Sequence, residues 1–361
     1  MSIRFYSSLA LSCVLIAYAA LSPVHAADFD HIRVRILEKY HPKAISISAE
    51  GKRNQAVLID MRSDLPIEFR QADFHTLRLP GQSWSRNYSG RLLIDRENEE
   101  LLIINTLPLE EYITSVVLSE LGWVNTEAMR AQALLSRTWA ITHLHPNRPY
   151  DFGDMTNSQV YQGLFPQSAK TRHRLTDTRG LVLIYRGEPI EALYHAACSD
   201  RVFSAYEIWG RRRIRYLDRV GLPVQLIDNR NDSRWERSLK KSDIARLFRK
   251  EGYSGTPLRL RQTRRDGQLG VYVDGQWVGI DDFRLQVNRG LGWNQLRSND
   301  FVMQDKGDQF YFKGKGFGHL VGMCQRDAVT LAELGWDYKK ILGLFYPGSE
   351  LGSMYRPTEH Q

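Results

Sequence analysis

A chain of 361 residues, 42% of them hydrophobic, can bury one large core or two modest ones, so it folds without a disulfide framework and holds one or two domains. A formal net charge of +8 suits an anionic partner. Nucleic acid is the rival polyanion, but the chain carries no recognised nucleic-acid motif, and an export leader argues against it.

Residues 1–26 read as a secretory signal. Arg4 gives a weakly positive start, Leu9 to Leu21 an apolar run, and Val24-His25-Ala26 a small-residue cleavage site, so the mature chain is expected to begin at Ala27. The run falls short of the ~18 residues of a spanning helix, and no later segment could cross a bilayer, so no stable membrane span is expected after cleavage. Residues 27–105 form a β-rich portion. Ile32, Val34 and Ile36 alternate, as do Ile45 and Ile47, and the runs LLID (92–95) and ELLIINT (100–106) follow.

Helix signals begin with Thr106 and Pro108, which open a helix over 106–121; a second, over 126–143, is capped by Thr126, carries Glu127 in its first turn and ends before Pro146. Gly122 separates them. Ile113, Val116 and Val117 precede Glu120 by seven, four and three residues, on the same face, so this carboxylate points inward. Burial among apolar neighbours disfavours the charged form and raises a Glu pKa, as a general acid requires. The alternative is a helix-end Glu that snorkels or pairs with a nearby Arg. Glu110 and Glu111 read as first-turn acids complementing the helix dipole.

After a loop carrying DMTNSQVYQG (154–163), the segment LVLIYRGEPIEALYHAA (181–197) reads as a hairpin turning at Arg186-Gly187-Glu188-Pro189, with His195 near the end of its second strand. Within 211–312, RRRIR (211–215) and LKKSDIARLFRK (239–250) read as solvated basic faces or, alternatively, as a track for an anionic strand, and VYVDGQWVG (271–279) as a hairpin. VTLAELGWDYKKILGLFYPG (329–348) closes the chain as an amphipathic helix.

Five stretches, in order, resemble the stage II sporulation protein D family (SpoIID/LytB domain): LPLEEY (107–112); SELGW (119–123) with EAMRAQALLSRTWA (127–140); DMTNSQVYQG (154–163); GLVLIYRGEPIEALYHAACSD (180–200); and GKGFGHLVGMCQRDA (314–328). The resemblance implies a peptidoglycan-directed protein, either a lytic transglycosylase acting on glycan strands stripped of stem peptides or an enhancer of a wall amidase. It implies Glu120 as the catalytic acid and Gln132, Arg137, Gln159, His195 and His319 as polar groups that orient glycan. Arg137 could instead tie its helix to a backbone carbonyl or to Glu120, and pairing with Glu120 would lower that pKa. The chain departs from the family pattern at Leu320 and Asp327, which replace two glycines, and at Ser199-Asp200, which replaces Gly-Gly. Those side chains are expected to occupy space that a bound strand would use.

Leader removal takes away Cys13 and leaves Cys198 and Cys324 where disulfides persist. The two could bridge, remain buried thiols, or join His195 and His319 in a tetrahedral zinc set. A cysteine nucleophile with a neighbouring His as base is a further reading. Gly314, Gly316, Gly318 and Gly322 do not have dinucleotide-loop spacing. Beside Phe317 and His319 they suit either a sugar-stacking wall, with His319 and Gln325 bonding hydroxyls, or a tight turn packing a helix against a sheet. No cofactor is called for. The expected protein is exported to the periplasm or cell wall and is α+β. Its β-rich N-terminal portion is continuous with a mixed α/β core over 106–355, which carries a divergent insert at 211–312 and holds a glycan-binding cleft. Its partners are peptidoglycan glycan strands and, in the enhancer reading, a cell-wall amidase.

Overall fold

Alternating apolar residues near the N-terminus build a seven-stranded sheet from β1 (His31–Arg35), β2 (Ala44–Ala49), β3 (Val57–Asp60), β4 (Ile67–Arg78), β5 (Arg86–Glu97), β6 (Glu100–Pro108) and, from further along the chain, β7 (Phe152–Gly153). The order is β3-β2-β4-β5-β6-β1-β7, with β7 parallel to β1 and the other pairs antiparallel. The computed structural model describes residues 30–49, 55–223, 226, 233–250, 252 and 258–354. The expected leader and Cys13 lie outside them. Ile32, Val34, Ile45, Ile47, Leu92 and Ile94 are all buried, as alternation on a half-covered sheet requires. The α+β class is as expected.

Thr106 and Leu107 stay in β6, paired with Arg33 and Ile32, so α1 begins later than expected and spans Leu109–Glu120. A second helix, α2 (Thr126–Thr142), is capped by Asn125 rather than Thr126: the Asn125 side chain accepts from the Glu127 N–H at 2.9 Å. α2 is buried nearly all round. Ala131, Leu134 and Leu135 join one apolar cluster, while Met129, Ala133 and Ala140 join the cluster of the seven-stranded sheet. A helix without a continuous polar face is a wedge between two cores, and α2 serves as one.

Beyond α3 (Ser168–Arg174), β8 (Leu181–Tyr185) and β9 (Glu188–Pro189) form the expected hairpin, but around a two-residue turn, Arg186-Gly187, with both φ positive. Its second strand is too short to reach His195, which sits on a separate strand, β10 (Tyr194–His195). After α4 (Ala205–Trp209) come β11 (Arg234–Lys240), α5 (Lys241–Lys250), the meander β12 (Leu260–Arg265), β13 (Gln268–Val273) and β14 (Gln276–Gly279), then α6 (Ile280–Leu291), β15 (Asp300–Lys306) and β16 (Gln309–Lys315). β16 lies between β11 and β15. The run 239–250 is more than a solvated face, because Ile244, Ala245 and Phe248 of α5 are buried.

The last described elements are β17 (Met323–Cys324), α7 (Gln325–Glu333), α8 (Tyr338–Phe345) and β18 (Glu350–Ser353), which pairs with β8. The single helix expected over 329–348 is two. Gly335 has φ 84°, and Asp337 restarts the helix by accepting from the Lys340 N–H at 2.8 Å. Among the described residues no helix is long and apolar enough to cross a membrane.

One buried ion pair fixes α1, α2 and β8 together. Arg137, on α2, is fully buried. Its Nε and Nη2 donate to the Glu110 carboxylate at 2.8 and 2.7 Å, and its Nη1 to the Leu181 carbonyl at 2.9 Å. Glu110 is thus the counter-charge of Arg137 as well as a first-turn acid. Removing one partner of a buried pair leaves the other charge uncompensated, which costs about 3–5 kcal/mol. Glu110→Gln is therefore expected to lower unfolding stability by about 3 kcal/mol in urea titration; a loss as small as that of a surface pair, below about 1 kcal/mol, would contradict this account.

Candidate active site

Glu120 is the last residue of α1, and the apolar face formed by Ile113, Val116 and Val117 is buried, as the spacing requires. Glu120 Oε1 accepts from the Val160 N–H at 2.8 Å and from the Tyr194 O–H at 3.4 Å, and the Gln325 side chain also bonds the carboxyl. Burial pushes the Glu120 pKa above the ordinary carboxylate value, and the three hydrogen bonds oppose that shift without cancelling it. None of these partners is charged.

A ring of neutral polar groups surrounds the carboxyl. Gln325 Nε2 donates to Gln132 Oε1 at 3.3 Å, and Gln132 Nε2 to Ser136 Oγ at 3.1 Å. Ser136 in turn hydrogen-bonds Tyr194. Gln159 Nε2 donates to the Tyr194 hydroxyl at 3.3 Å, while its Oε1 accepts from the Tyr112 hydroxyl at 3.1 Å. Burial holds both phenols well above their ordinary pKa, so they act as neutral donors. The structure thus gathers Glu120, Gln132, Gln159 and Gln325 from three of the five stretches. Arg137 faces Glu110 rather than Glu120. Tyr112, Ser136, Tyr194 and the Val160 N–H escaped the sequence reading. Each lies inside a motif already quoted, and counting phenol and hydroxyl donors there would have found them.

The two histidines stand apart from this ring. β10 and β17 pair in parallel, with His195 opposite Cys324. His195 Nδ1 donates to the Val321 carbonyl at 3.1 Å, its Nε2 lies 3.4 Å from Cys198 Sγ, and the Cys198 N–H donates to Cys324 Sγ at 2.9 Å. All three residues are buried, and the cysteines meet as thiols. His319 Nδ1 accepts from the Val321 N–H at 3.1 Å, with the rings of Trp209 and His195 at 5.4 and 5.7 Å. Burial brings the His319 pKa down to about 4, which keeps it neutral near pH 7.

Gly316, Gly318 and Gly322 have φ of 85°, 104° and 71°. A Cβ at Gly316 would come within 2.9 Å of the Ala197 carbonyl and one at Gly318 within 3.0 Å of His195 Cβ, while one at Gly322 would overlap the Leu193 carbonyl. These glycines therefore let the loop lie directly on residues 193–198. The departures from the family pattern do not fill an open groove as expected. Leu320, Ser199 and Asp327 are buried, and only Asp200 is exposed, where it pairs with Lys315. Two concavities of about 480 and 460 Å³, the first beside Tyr40, Trp84 and Arg86 and the second beside Trp123 and Arg174, are not lined by Glu120.

Several known proteins are similar in sequence to this chain. A sequence model of the SpoIID family, described as stage II sporulation protein, matches residues 97–185, which include Glu120, Gln132 and Gln159. An uncharacterized protein of Brachyspira hyodysenteriae is 27% identical over 273 residues, covering 73% of this chain and 72% of its own length. Stage II sporulation protein D of Bacillus amyloliquefaciens is 28% identical over 273 residues, covering 69% and 75%. The amidase enhancer of Bacillus subtilis is 24% identical over 277 residues, covering 63% of this chain but 38% of its own length. With the motifs in family order and the family match running from β6 through α1 and α2 to β8, the chain is similar to the SpoIID/LytB family.

Proposed function

We propose that the protein is exported and acts on peptidoglycan as a lytic transglycosylase, cleaving denuded glycan strands with Glu120 as its single acid and base. The observation that carries this reading is the placing of the Glu120 carboxyl against three uncharged donors on an apolar helix face, where burial raises its pKa. The names of the relatives support a cell-wall role.

Most glycosidases use two carboxylates. Here the immediate partners of Glu120 are a backbone amide, a phenol and a side-chain amide, so one carboxyl serves twice and the substrate supplies the nucleophile. Protonated Glu120 gives its proton to the glycosidic oxygen as the bond from that oxygen to C1 of the muramic residue breaks. The resulting carboxylate takes the proton of the C6 hydroxyl of the same sugar while that oxygen attacks C1. A 1,6-anhydro ring closes and Glu120 is again protonated. The attack is intramolecular and gains from a high effective molarity. Tyr194, Gln325 and the Val160 N–H stabilise the carboxylate between the two transfers, while burial favours the acid at the start. A second reading, enhancement of a wall amidase, draws on the relative of that name.

The test is incubation of wild type and Glu120→Gln with intact and amidase-denuded peptidoglycan, with soluble products read by mass spectrometry. Anhydro-muramic products from wild type, reduced by at least about 10²-fold in the variant, are expected. Equal product from both would remove Glu120 from the chemistry; no product from either, with glycan co-sedimentation intact, would favour the enhancer.

Protonation is linked to stability in a defined direction. With its folded pKa raised, Glu120 contributes stability that is full below its unfolded pKa and lost as pH rises through the folded value. Glu120→Gln is therefore expected to melt higher than wild type at neutral pH, the gap closing as pH falls below the ordinary carboxylate range. Tyr194→Phe removes a donor that lowers the Glu120 pKa, so the alkaline limb of its pH–rate profile should move to higher pH. A limb that stays in place would mean that Tyr194 does not bear on the acid.

A further inference from the structure

We propose that His195, Cys198 and Cys324 form a binding site for a thiophilic divalent cation, zinc foremost, which pins β10 to β17. The cluster takes no part in the Glu120 chemistry, and the proposal stands or falls independently of it.

The donor set and its spacing carry the proposal. One nitrogen and two sulfur atoms lie within 4.8 Å of one another, all on buried residues. Zinc binds thiolate at about 2.3 Å and imidazole at about 2.0–2.1 Å, so tetrahedral geometry sets its ligand atoms about 3.5–3.8 Å apart. The 3.4 Å between His195 Nε2 and Cys198 Sγ is close to such an edge.

The surroundings orient these atoms as ligands. His195 donates its Nδ1 proton to the Val321 carbonyl, which leaves the Nε2 lone pair facing the sulfurs. This is the backbone support that metal-bound histidines commonly have. The Cys198 N–H donates to Cys324 Sγ at 2.9 Å, a bond that favours a thiolate there. Each thiol would release its proton to solvent as its sulfur–metal bond forms. A Cys198–Cys324 disulfide would use the same sulfurs but would remove the thiol proton that Nε2 faces, leaving a buried acceptor unmatched. His319 is not a member of the set, because its Nδ1 accepts from the Val321 N–H and its ring also hydrogen-bonds the Tyr194 backbone. Three protein ligands therefore remain, with one coordination position left for water.

The placement gives the cation a consequence. His195 and Cys324 each adjoin a residue that bonds Glu120, Tyr194 in one case and Gln325 in the other. A metal joining the two strands would fix two of the three partners of the carboxyl.

The experiment uses the full chain purified without chelator. Expected are about one equivalent of zinc by mass spectrometry of the metal, a lower Tm after chelation that is restored by equimolar zinc, and an intense thiolate-to-cobalt charge-transfer band when Co²⁺ replaces zinc. Cys324→Ser should abolish the band and the stoichiometry, and His319→Ala should leave both intact. If these variants fail to fold, the wild-type stoichiometry and cobalt spectrum decide alone. Two titratable thiols with no bound metal, a Cys198–Cys324 disulfide in peptide mapping, or cobalt bound without a charge-transfer band would each overturn the proposal.

Discussion

The close approach of residues 193–198 to residues 314–324 is the constraint on which both polar clusters depend, since Gly316, Gly318 and Gly322 put backbone where any Cβ would meet Ala197, His195 or Leu193. The pairing it allows, β10 with β17, is two residues long on each side and could not persist alone. Buried Tyr346 supports it, its hydroxyl donating to the Leu193 carbonyl and accepting from the Met323 N–H at 3.1 Å. Successive strand residues face opposite ways. One short pairing thereby presents Tyr194 to Glu120 and His195 to the two cysteines.

Two glutamates on one helix have opposite electrostatic fates. Glu110 meets a fully buried guanidinium and serves as its counter-charge, which locks α1 to α2. Glu120, ten residues on, meets only neutral donors and keeps a raised pKa. Arg137, bound to Glu110 and the Leu181 carbonyl, is not among the groups that act on Glu120. A stability element and a candidate acid are thus kept apart by partner choice on the same two helices. α2, wedged between two apolar clusters, supplies Arg137 to one arrangement and Gln132 and Ser136 to the other.

Much of this was legible in the chain. The alternation of Ile32, Val34, Ile45 and Ile47 foretold the N-terminal sheet, the spacing of Ile113, Val116 and Val117 foretold their buried face on the Glu120 helix, and the run 271–279 foretold the hairpin of β13 and β14. The misplacements share a cause, which is competition between local and tertiary terms. Thr106 has helix-start chemistry but stays in β6, because pairing with Arg33 extends the sheet by two residues before the helix can begin. The run 329–348 has continuous helical periodicity, yet Gly335 and Asp337 divide it by local backbone and capping effects that periodicity does not register.

Local patterns in the amino-acid order suffice for most elements, for the half-buried placing of Glu120 and for the likeness to SpoIID/LytB proteins, because side-chain periodicity, turn chemistry and motif order all act over short spans. Which partner each polar group takes is not written locally. The sequence left Arg137 either Glu110 or Glu120 as a partner, and the packing of α1 on α2 set it against the first. Tyr194 and Gln325, 131 residues apart in the numbering, meet at one carboxyl only because glycine backbone closes the distance between β10 and the loop before β17. Hydrogen bonds and ligand sets depend on angles and on separations of a few ångströms, and those are properties of the packed chain.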